Sequence, residues 1–444
     1  MLSDPIVALA TPPGRAALAA IRLSGTGVHA VAGRCLQPFP EVPRTVVRAR
    51  LVHPASGDLI DQPLVARYAA PRSYTGEDMV EVFTHGGLLV PADAVAALVA
   101  AGARPAEPGE FTRRAVVNGK LDLLQAEATA DLIDAGSPVQ RRSALRQLDG
   151  GLSARLAALR TELLELEALI AYDIDFPEED DGPVSPERVE RARCAVADRL
   201  ARLLATASEG ERLREGALLV IAGPPNAGKS SLFNALLGRE RAIVTEIPGT
   251  TRDAIEASTV IEGFPFRLVD TAGLRDSGDR VERLGIAVSR QYLAAADLIL
   301  FCEEGEEVER DEFLAPCAAP VIFVQTKTDL ADRATARPPD RLGVSVVTGE
   351  GLDALKPKLA EAAFGRLLAQ GDVEPVVTRA RHRLALERAR DEVEAFAAAR
   401  AQGVEAAVAA THLRAAVGAL DDLIGVVAPD DVLDRVFASF CVGK

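Results

Sequence analysis

ALLVIAGPPNAGKSSLFNALLG, residues 217–238, decides the fold of the middle of the chain. The unbroken apolar run from Ala217 to Ala222 reads as a strand covered on both faces, the habit of parallel sheets. GPPNAGKS, Gly223 to Ser230, follows at once and fits the phosphate-loop pattern, and SLFNALLG then reads as a helix. A loop held between a strand end and a helix start turns successive backbone N–H groups inward, and the helix N-terminus adds partial positive charge. Asn226, Ala227 and Gly228 are expected to face phosphates, Lys229 to reach the β- and γ-phosphates, Ser230 to hold Mg²⁺, and Ser231 to follow at the helix start. A glycine-rich turn ahead of an ordinary helix is the bland alternative.

The downstream motifs argue against that alternative. Thr245 and Glu246 lead into IPGTTRD, so Ile247, Pro248, Gly249, Thr250 and Thr251 fall between the phosphate loop and the next strand, with Thr251 as a second Mg²⁺ ligand. The predicted strand FRLVD ends in VDTAG, where Asp270 can hold the metal through water and the Gly273 N–H can sense a γ-phosphate, with Thr271 and Ala272 between them. VIFVQTKTD is read as a buried strand ending at Asp329, whose carboxylate can accept two hydrogen bonds from a guanine edge, with Lys327 packed along the base. SVVTGEG supplies Ser345 and Val346 as a last loop against the base. Motifs in this order on strand ends point to a guanine nucleotide, GTP with Mg²⁺.

Two departures bear on mechanism. The base loop starts with Thr326 where GTPases normally write Asn, and a hydroxyl replaces only part of what an amide ties together. Leu274 stands where Ras-type enzymes place the Gln that orients water, and an aliphatic side chain cannot do so. Glu282 is the nearest candidate for that task, with a solvated helix carboxylate as the other reading.

Working outward, 444 residues make about three domains at roughly 150 each. Hydrophobic residues at 48% and charged residues at 26% exclude collagen-like, disordered and disulfide-scaffold classes. No apolar run approaches the ~18 residues of a membrane span. MLSDPIVALATPP lacks the basic lead-in of a signal peptide, and five cysteines (Cys35, Cys194, Cys302, Cys317, Cys441) form no CxxC pair, so a reducing cytoplasm without a zinc cage is expected. The net charge of −15 excludes a wholesale nucleic-acid coat. RNA contact has to come from a partner or from patches such as Arg141, Arg142 and Arg146, or Arg379 to Arg390, which read equally as solvated helix faces. Of 50 basic residues only six are Lys: Lys120, Lys229, Lys327 and Lys444 sit in motifs, which suggests places where a compact ammonium matters, and Lys356 and Lys358 lie on an ordinary predicted helix face.

Residues 1–118 read as an α/β domain, with β-like runs IVALA, ALAAIRL, TVVRARLV and QPLVARY and a helix over VPADAVAALVAAG. Residues 119–215 turn helical, broken by the acidic DIDFPEEDDGPVSPE, after which Ser185-Pro186 caps one further helix to about Glu215. Residues 216–371 alternate strands and helices, and residues 372–444 are helical again. Helical blocks on both sides of the α/β block imply a helical domain with an insertion, or else two separate bundles.

These motifs bring a resemblance into view. ATPPGR, YTGEDMVE followed by HGG, RPAEPGEFTRRAVVNGKLDLLQAEA, the GPPNAGKS and PGTTRD pair and the terminal FCVGK together resemble the MnmE (TrmE) family of tRNA-modification GTPases over essentially the whole chain. The resemblance implies an N-terminal α/β folate-binding-type domain, a central helical domain and a Ras-like P-loop GTPase domain inserted in it. It implies a potassium ion in place of an arginine finger, held by the Asn226 side chain and carbonyls of Thr245, Ile247 and Thr250, and Glu282 as the residue that positions water. Arg22, Glu81, Lys120 and Lys444 fall on folate-contacting positions, although each alone reads as a surface ion pair. Cys441 is either a buried or capping thiol or a group near folate and target base, acting as nucleophile or for positioning.

The implied reaction adds an aminomethyl or carboxymethylaminomethyl group to C5 of the wobble uridine of certain tRNAs. Its one-carbon unit comes from 5,10-methylene-tetrahydrofolate, for which formyl-tetrahydrofolate is a stable analogue. The implied partners are a second copy through the N-terminal domains, tRNA, and the FAD-binding MnmG in a heterotetramer, with no membrane. This chain has no flavin-type GxGxxG fingerprint, in keeping with redox chemistry in the partner. The competing class is a ribosome-assembly or regulatory GTPase switch without modification chemistry. FCVGK and the N-terminal motifs argue against it, as does the lack of a KH-type GxxG.

Overall fold

The computed structural model describes residues 3–175, 184–238, 256–271, 290–304, 317–330, 341–371, 376–425, 436–437 and 440–443. Two compact units emerge, Met1–Ala130 with Asp421–Lys444, and Asp131–Leu420.

The first unit contains strands β1 (Ile6–Leu9) and β2 (Gly14–Ser24), helix α1 (Val28–Cys35), strands β3 (Leu36–Gln37), β4 (Val46–Arg48), β5 (Arg50–Val52), β6 (Leu59–Asp61), β7 (Leu64–Tyr68) and β8 (Met79–Gly87), helix α2 (Leu89–Ala100), strand β9 (Arg104–Pro105), and helices α3 (Glu110–Val117) and α4 (Leu123–Asp134), the last running past Ala130. One sheet has the order β4-β7-β8-β2-β1-β9, and β3-β5-β6 form another. The apolar run TVVRARLV is therefore not one strand: β4 and β5 lie in different sheets, divided at the buried Ala49. Sequence reasoning passed over α1 and over β8, whose VEVF alternation was hidden inside a motif.

Alternation along β2 and β8 places the site. Ile21 and Leu23 pair with Val82 and Val80 and face a core shared with Val28, Val31, Ala94, Ala97 and Leu98 of α1 and α2. Arg22 and Glu81, opposite each other in the register, must then point to the other face. Beside them lies a charged network in which Arg114, 1% exposed, is 2.8 Å from Glu110 and 3.1 Å from both Glu77 and Asp4. Arg104 adds a 2.6 Å contact to Glu110. Burial pushes the Glu110 carboxyl up, but hydrogen bonds from Arg104, the Glu107 N–H and Arg114 outweigh it and hold the group below the usual carboxylate range.

The C-terminal stretch belongs to this unit. Pro108 bridges Val442, the Gly109 N–H donates to the Cys441 carbonyl at 3.3 Å, and Phe437 and Phe440 pack with Leu123 and Ala126. Gly109 sits at φ +69, and a Cβ there would lie 2.9 Å from the Phe437 carbonyl, so the close approach requires glycine.

The second unit contains α5 (Pro138–Leu148), α6 (Gly151–Asp175), α7 (Pro186–Leu204), α8 (Ala207–Glu215), β10 (Ala217–Ala222), α9 (Lys229–Leu237), β11 (Glu256–Ile261), β12 (Phe264–Asp270), β13 (Leu298–Glu303), β14 (Val321–Gln325), β15 (Arg341–Gly343), α10 (Leu352–Gln370), α11 (Ala380–Ala401) and α12 (Ala406–Ile424), which runs past Leu420. Its sheet order is β11-β12-β10-β13-β14-β15, with β10 parallel to both neighbours and β11 antiparallel at the edge. Every residue of β10 is buried, as an apolar run in a two-sided sheet requires.

Ser185 caps α7 by accepting a hydrogen bond from the Arg188 N–H, with Pro186 in the first turn. The expected single helix to Glu215 is instead two, α7 and α8. Tertiary packing explains the break: Glu209 of α8 accepts hydrogen bonds from the N–H groups of Arg366 and Leu367 at 3.2 and 2.9 Å. Those groups are freed by the non-helical Phe364 inside α10. Phe364 itself stacks on Phe264 at 4.6 Å.

Candidate functional site

At the end of β10 the chain crosses β13 so closely that a Cβ on Gly223 would lie 2.2 Å from the Cys302 carbonyl. Asn226 (φ +62) and Gly228 (φ +77) are left-handed, with Gly228 as the N-cap of α9. Turns of this kind aim N–H groups into one concavity and form an anion nest. Lys229, 7% exposed, folds back over the loop and donates to the carbonyls of Gly223 (3.0 Å) and Pro224 (2.7 Å). Ser230 and Ser231 are exposed in the first turn of α9.

The neighbouring strand supplies a carboxylate. Asp270 closes β12 opposite Ile221 and is buried, and the Thr271 hydroxyl donates to the Ile221 carbonyl at 2.9 Å. This buried acid beside the phosphate loop fits a hard cation held through water. Among the described residues no group of three or more His, Cys, Asp or Glu side chains is placed to hold a metal ion.

The base loop is tied to the phosphate loop by the departure itself. The Thr326 hydroxyl donates to the Ala227 carbonyl at 2.8 Å and lies 3.2 Å from the Glu303 carbonyl. One hydroxyl proton thus links P-loop, β13 and base loop, where an amide would bring two donors. The strand β14 ends at Gln325, so Asp329 sits on a turn beyond it rather than at its end. The Ser345 hydroxyl donates to Asp329 at 2.6 Å and also accepts from the Thr348 N–H at 3.2 Å, which aims the carboxylate. Lys327 is left-handed (φ +55) and its ammonium is 2.7 Å from Glu304. Val346 packs on the edge of the sheet core.

In the first unit the structure brings Glu81 and Lys120 to one cavity, while Arg22 does not line it and reaches it only through its pair with Glu81. The Arg22 guanidinium is 2.9 Å from Glu81, which also accepts from the Tyr68 hydroxyl at 3.1 Å. The same guanidinium lies 5.2 Å from the Tyr74 ring centroid and 5.9 Å from that of Phe111. Glu81 and Lys120 line a cavity of about 420 Å³ with Arg44, Tyr68, Arg72 and Tyr74. The Lys120 ammonium donates to the Pro71 carbonyl at 3.2 Å. Sequence reasoning missed Arg44, Tyr68, Arg72 and Tyr74, although Tyr74 opens the YTGED motif it had singled out.

Cys441 is exposed, which is at odds with a buried thiol and leaves a capping thiol and a site role both open. The Arg379–Arg390 stretch is largely engaged: Arg379 contacts Asp131 at 2.6 Å, Arg383 contacts Glu211 at 2.8 Å and Glu387 at 3.1 Å, and Arg390 contacts Asp391 at 2.7 Å. Thr245, Glu246, Ile247, Pro248, Gly249, Thr250, Thr251, Ala272, Gly273, Leu274, Glu282 and Lys444 lie outside the described residues.

A strand, an anion nest, a buried strand-end aspartate and a base loop hooked to the P-loop define a P-loop nucleotide-binding protein of the GTPase class. Comparison with known proteins narrows this. Residues 5–120 match the family model "GTP-binding protein TrmE N-terminus" and residues 123–441 the model "MnmE helical domain". Proteins named tRNA modification GTPase MnmE are 42% identical in Moorella thermoacetica (464 residues, 100% of both chains) and 41% identical in Aquifex aeolicus (451 residues, 100% of both chains). Another, from Thermus thermophilus, is 43% identical over 453 residues, covering 100% of this chain and 99% of its own. The chain belongs to the MnmE family.

Proposed function

We infer that this protein is a GTP hydrolase acting in tRNA modification, and that it uses potassium and a folate one-carbon unit to modify C5 of the wobble uridine. The Thr326–Ala227 hydrogen bond carries the nucleotide half of the reading, because it joins a phosphate nest to a loop whose carboxylate is already aimed. Membership of a family whose relatives are named tRNA modification GTPases supports the rest. Among the described residues no helix is long and apolar enough to cross a membrane, and the cytoplasm, where tRNA is, is the proposed location.

In the proposed mechanism Lys229 exchanges the Gly223 and Pro224 carbonyls for phosphate oxygens, so its ammonium sits where charge develops. Asp329 accepts two hydrogen bonds from the guanine edge while Ser345 holds its position. Ser230 and Thr251 are the proposed Mg²⁺ ligands, with Asp270 behind water, and Glu282 is the proposed orienter of the attacking water. Asn226, exposed at the loop crest, and carbonyls of Thr245, Ile247 and Thr250 are the proposed potassium shell. A potassium ion there supplies the positive charge of an arginine finger.

The first-unit cavity fits a reduced folate by chemistry. Glu81 accepts from ring N–H donors, Tyr74 offers an aromatic face, and Arg44, Arg72 and Lys120 offer cations to carboxylate tails, with Lys444 proposed to join them. When bound, 5,10-methylene-tetrahydrofolate supplies the one-carbon unit. Cys441, exposed on the segment paired with Pro108 and Gly109, is proposed to act at that site as nucleophile or positioning group. A homodimer through N-terminal domains and a complex with the FAD-binding MnmG complete the proposal. The proposed GTPase domain interrupts the helical one, a layout supported by the helical family match spanning 123–441.

Steady-state hydrolysis of GTP and ATP in KCl and in NaCl tests the nucleotide half. The expected result is hydrolysis of GTP alone, much faster in KCl. Equal rates in both salts remove the role given to Asn226, and absent GTP hydrolysis removes the reading.

A further inference from the structure

Glu303 closes β13 and Arg341 opens β15, with β14 between them. Phe323 pairs with Arg341, and Gln325 pairs with both Glu303 and Gly343. The Arg341 guanidinium reaches diagonally across β14, and its Nη1 lies 2.9 Å from Glu303 Oε2. The two side chains are 10% and 0% exposed, so this is an ion pair inside the sheet. Burying such a pair gains little stability, because desolvation roughly cancels the attraction. Arg341 Nε is also buried with no hydrogen-bond partner among the described residues. A charged pair retained there points to a role in geometry.

What it holds is the base site. The Glu303 carbonyl accepts from the Thr326 N–H at 2.9 Å and lies 3.2 Å from the Thr326 hydroxyl. The chain running on from Arg341 arrives at Ser345, whose hydroxyl aims Asp329. The pair therefore ties the strand end beneath the TKTD loop to the strand that delivers the SVVTGEG loop. Thr326 has a single hydroxyl proton to share between the Ala227 and Glu303 carbonyls, so the base loop lacks the second donor of an amide at this place.

We propose that Glu303 and Arg341 are positioning residues that hold the two base-reading loops in register, supplying fixation that Thr326 alone does not, and that they set discrimination between guanine and hypoxanthine nucleotides. This rests on the guanine-nucleotide reading. Guanine offers a carboxylate two donors and hypoxanthine only one, so a firmly aimed Asp329 discriminates and a loosened one does so less.

The test measures dissociation constants for GDP and IDP on the full chain, alongside melting temperatures, for wild type, Arg341→Met, Glu303→Gln, Thr326→Asn and Thr326→Asn/Arg341→Met. Arg341→Met and Glu303→Gln are expected to lower the IDP-to-GDP ratio of dissociation constants by about fivefold, the scale of one ordinary hydrogen bond weakened by a loosened loop. Thr326→Asn should restore most of that ratio in the Arg341→Met background and change little in wild type. If Arg341→Met fails to fold, Arg341→Lys, which keeps a cation without the planar fork, should show the same direction. An unchanged ratio with only a lower melting temperature overturns the proposal, as does an equal effect of Thr326→Asn in both backgrounds. A wild type that binds neither nucleotide overturns the guanine reading itself.

Discussion

The P-loop site and the cavity around Glu81 are built in opposite ways. The first is made by backbone: the nest and the carbonyls that park Lys229 come from one short stretch, Gly223 to Lys229, which crosses the Cys302 carbonyl of β13 at Gly223. The second is made by side chains from distant places, with Arg22 and Glu81 set opposite each other by the β2–β8 register and Lys120 arriving after α3. A backbone site must be contiguous, because consecutive N–H groups are its ligands. A side-chain site needs only a scaffold, so its members scatter along the chain.

That contrast is open to direct attack. Lys229→Ala is expected to lower GTP turnover on the order of a thousandfold, the loss of one cation aimed at developing charge, while formyl-tetrahydrofolate binding stays intact. Loss of both activities in a folded variant would break the separation of the two sites. Glu81→Ala should do the reverse. Removing one partner of a half-buried, hydrogen-bonded charge pair costs about 2 kcal/mol, close to thirtyfold in formyl-tetrahydrofolate affinity by titration calorimetry, with GTP hydrolysis unchanged. Thr326→Val removes the hydroxyl between the Ala227 and Glu303 carbonyls and should weaken GDP binding by about fivefold, roughly 1 kcal/mol.

A smaller effect concerns the scaffold of the second site. Glu110 is held below its ordinary 4.5, so its contribution to stability is fully present above that value and is lost as pH falls through the lowered folded value. Urea midpoints followed down from pH 6 should therefore fall below pH 4.5 in wild type and less steeply in Glu110→Gln. Parallel profiles would remove Glu110 from the account. Ser185→Ala, at the N-cap of α7, is expected to cost about 1 kcal/mol in thermal or urea unfolding and to leave both sites unaffected.

The same contrast explains what could be read before the structure. Strand β10, the nest and helix α9 followed from an apolar run and glycine positions, because local physics sets them. The cap at Ser185 was readable for the same reason. The break between α7 and α8 was not, since it depends on Glu209 meeting N–H groups more than a hundred residues away. TVVRARLV looked like one strand because nothing local marks a change of sheet at Ala49. Tyr68, Arg44 and Arg72 gave no local signal, and the Arg341–Glu303 pair depends on a register across β14. The Arg379–Arg390 stretch read equally as a basic patch or a helix face with i,i+4 pairs; Arg383–Glu387 is such a pair, while the distant partners Asp131 and Glu211 left no local signal.

The most direct test of the central claim is mass spectrometry of tRNA nucleosides from cells lacking this gene, complemented with the wild-type chain or with Lys229→Ala. The account predicts loss of C5-aminomethyl-type wobble uridines in the deletion, restoration by the wild type and none by the variant. Unchanged nucleosides in the deletion, or full restoration by Lys229→Ala, would contradict it.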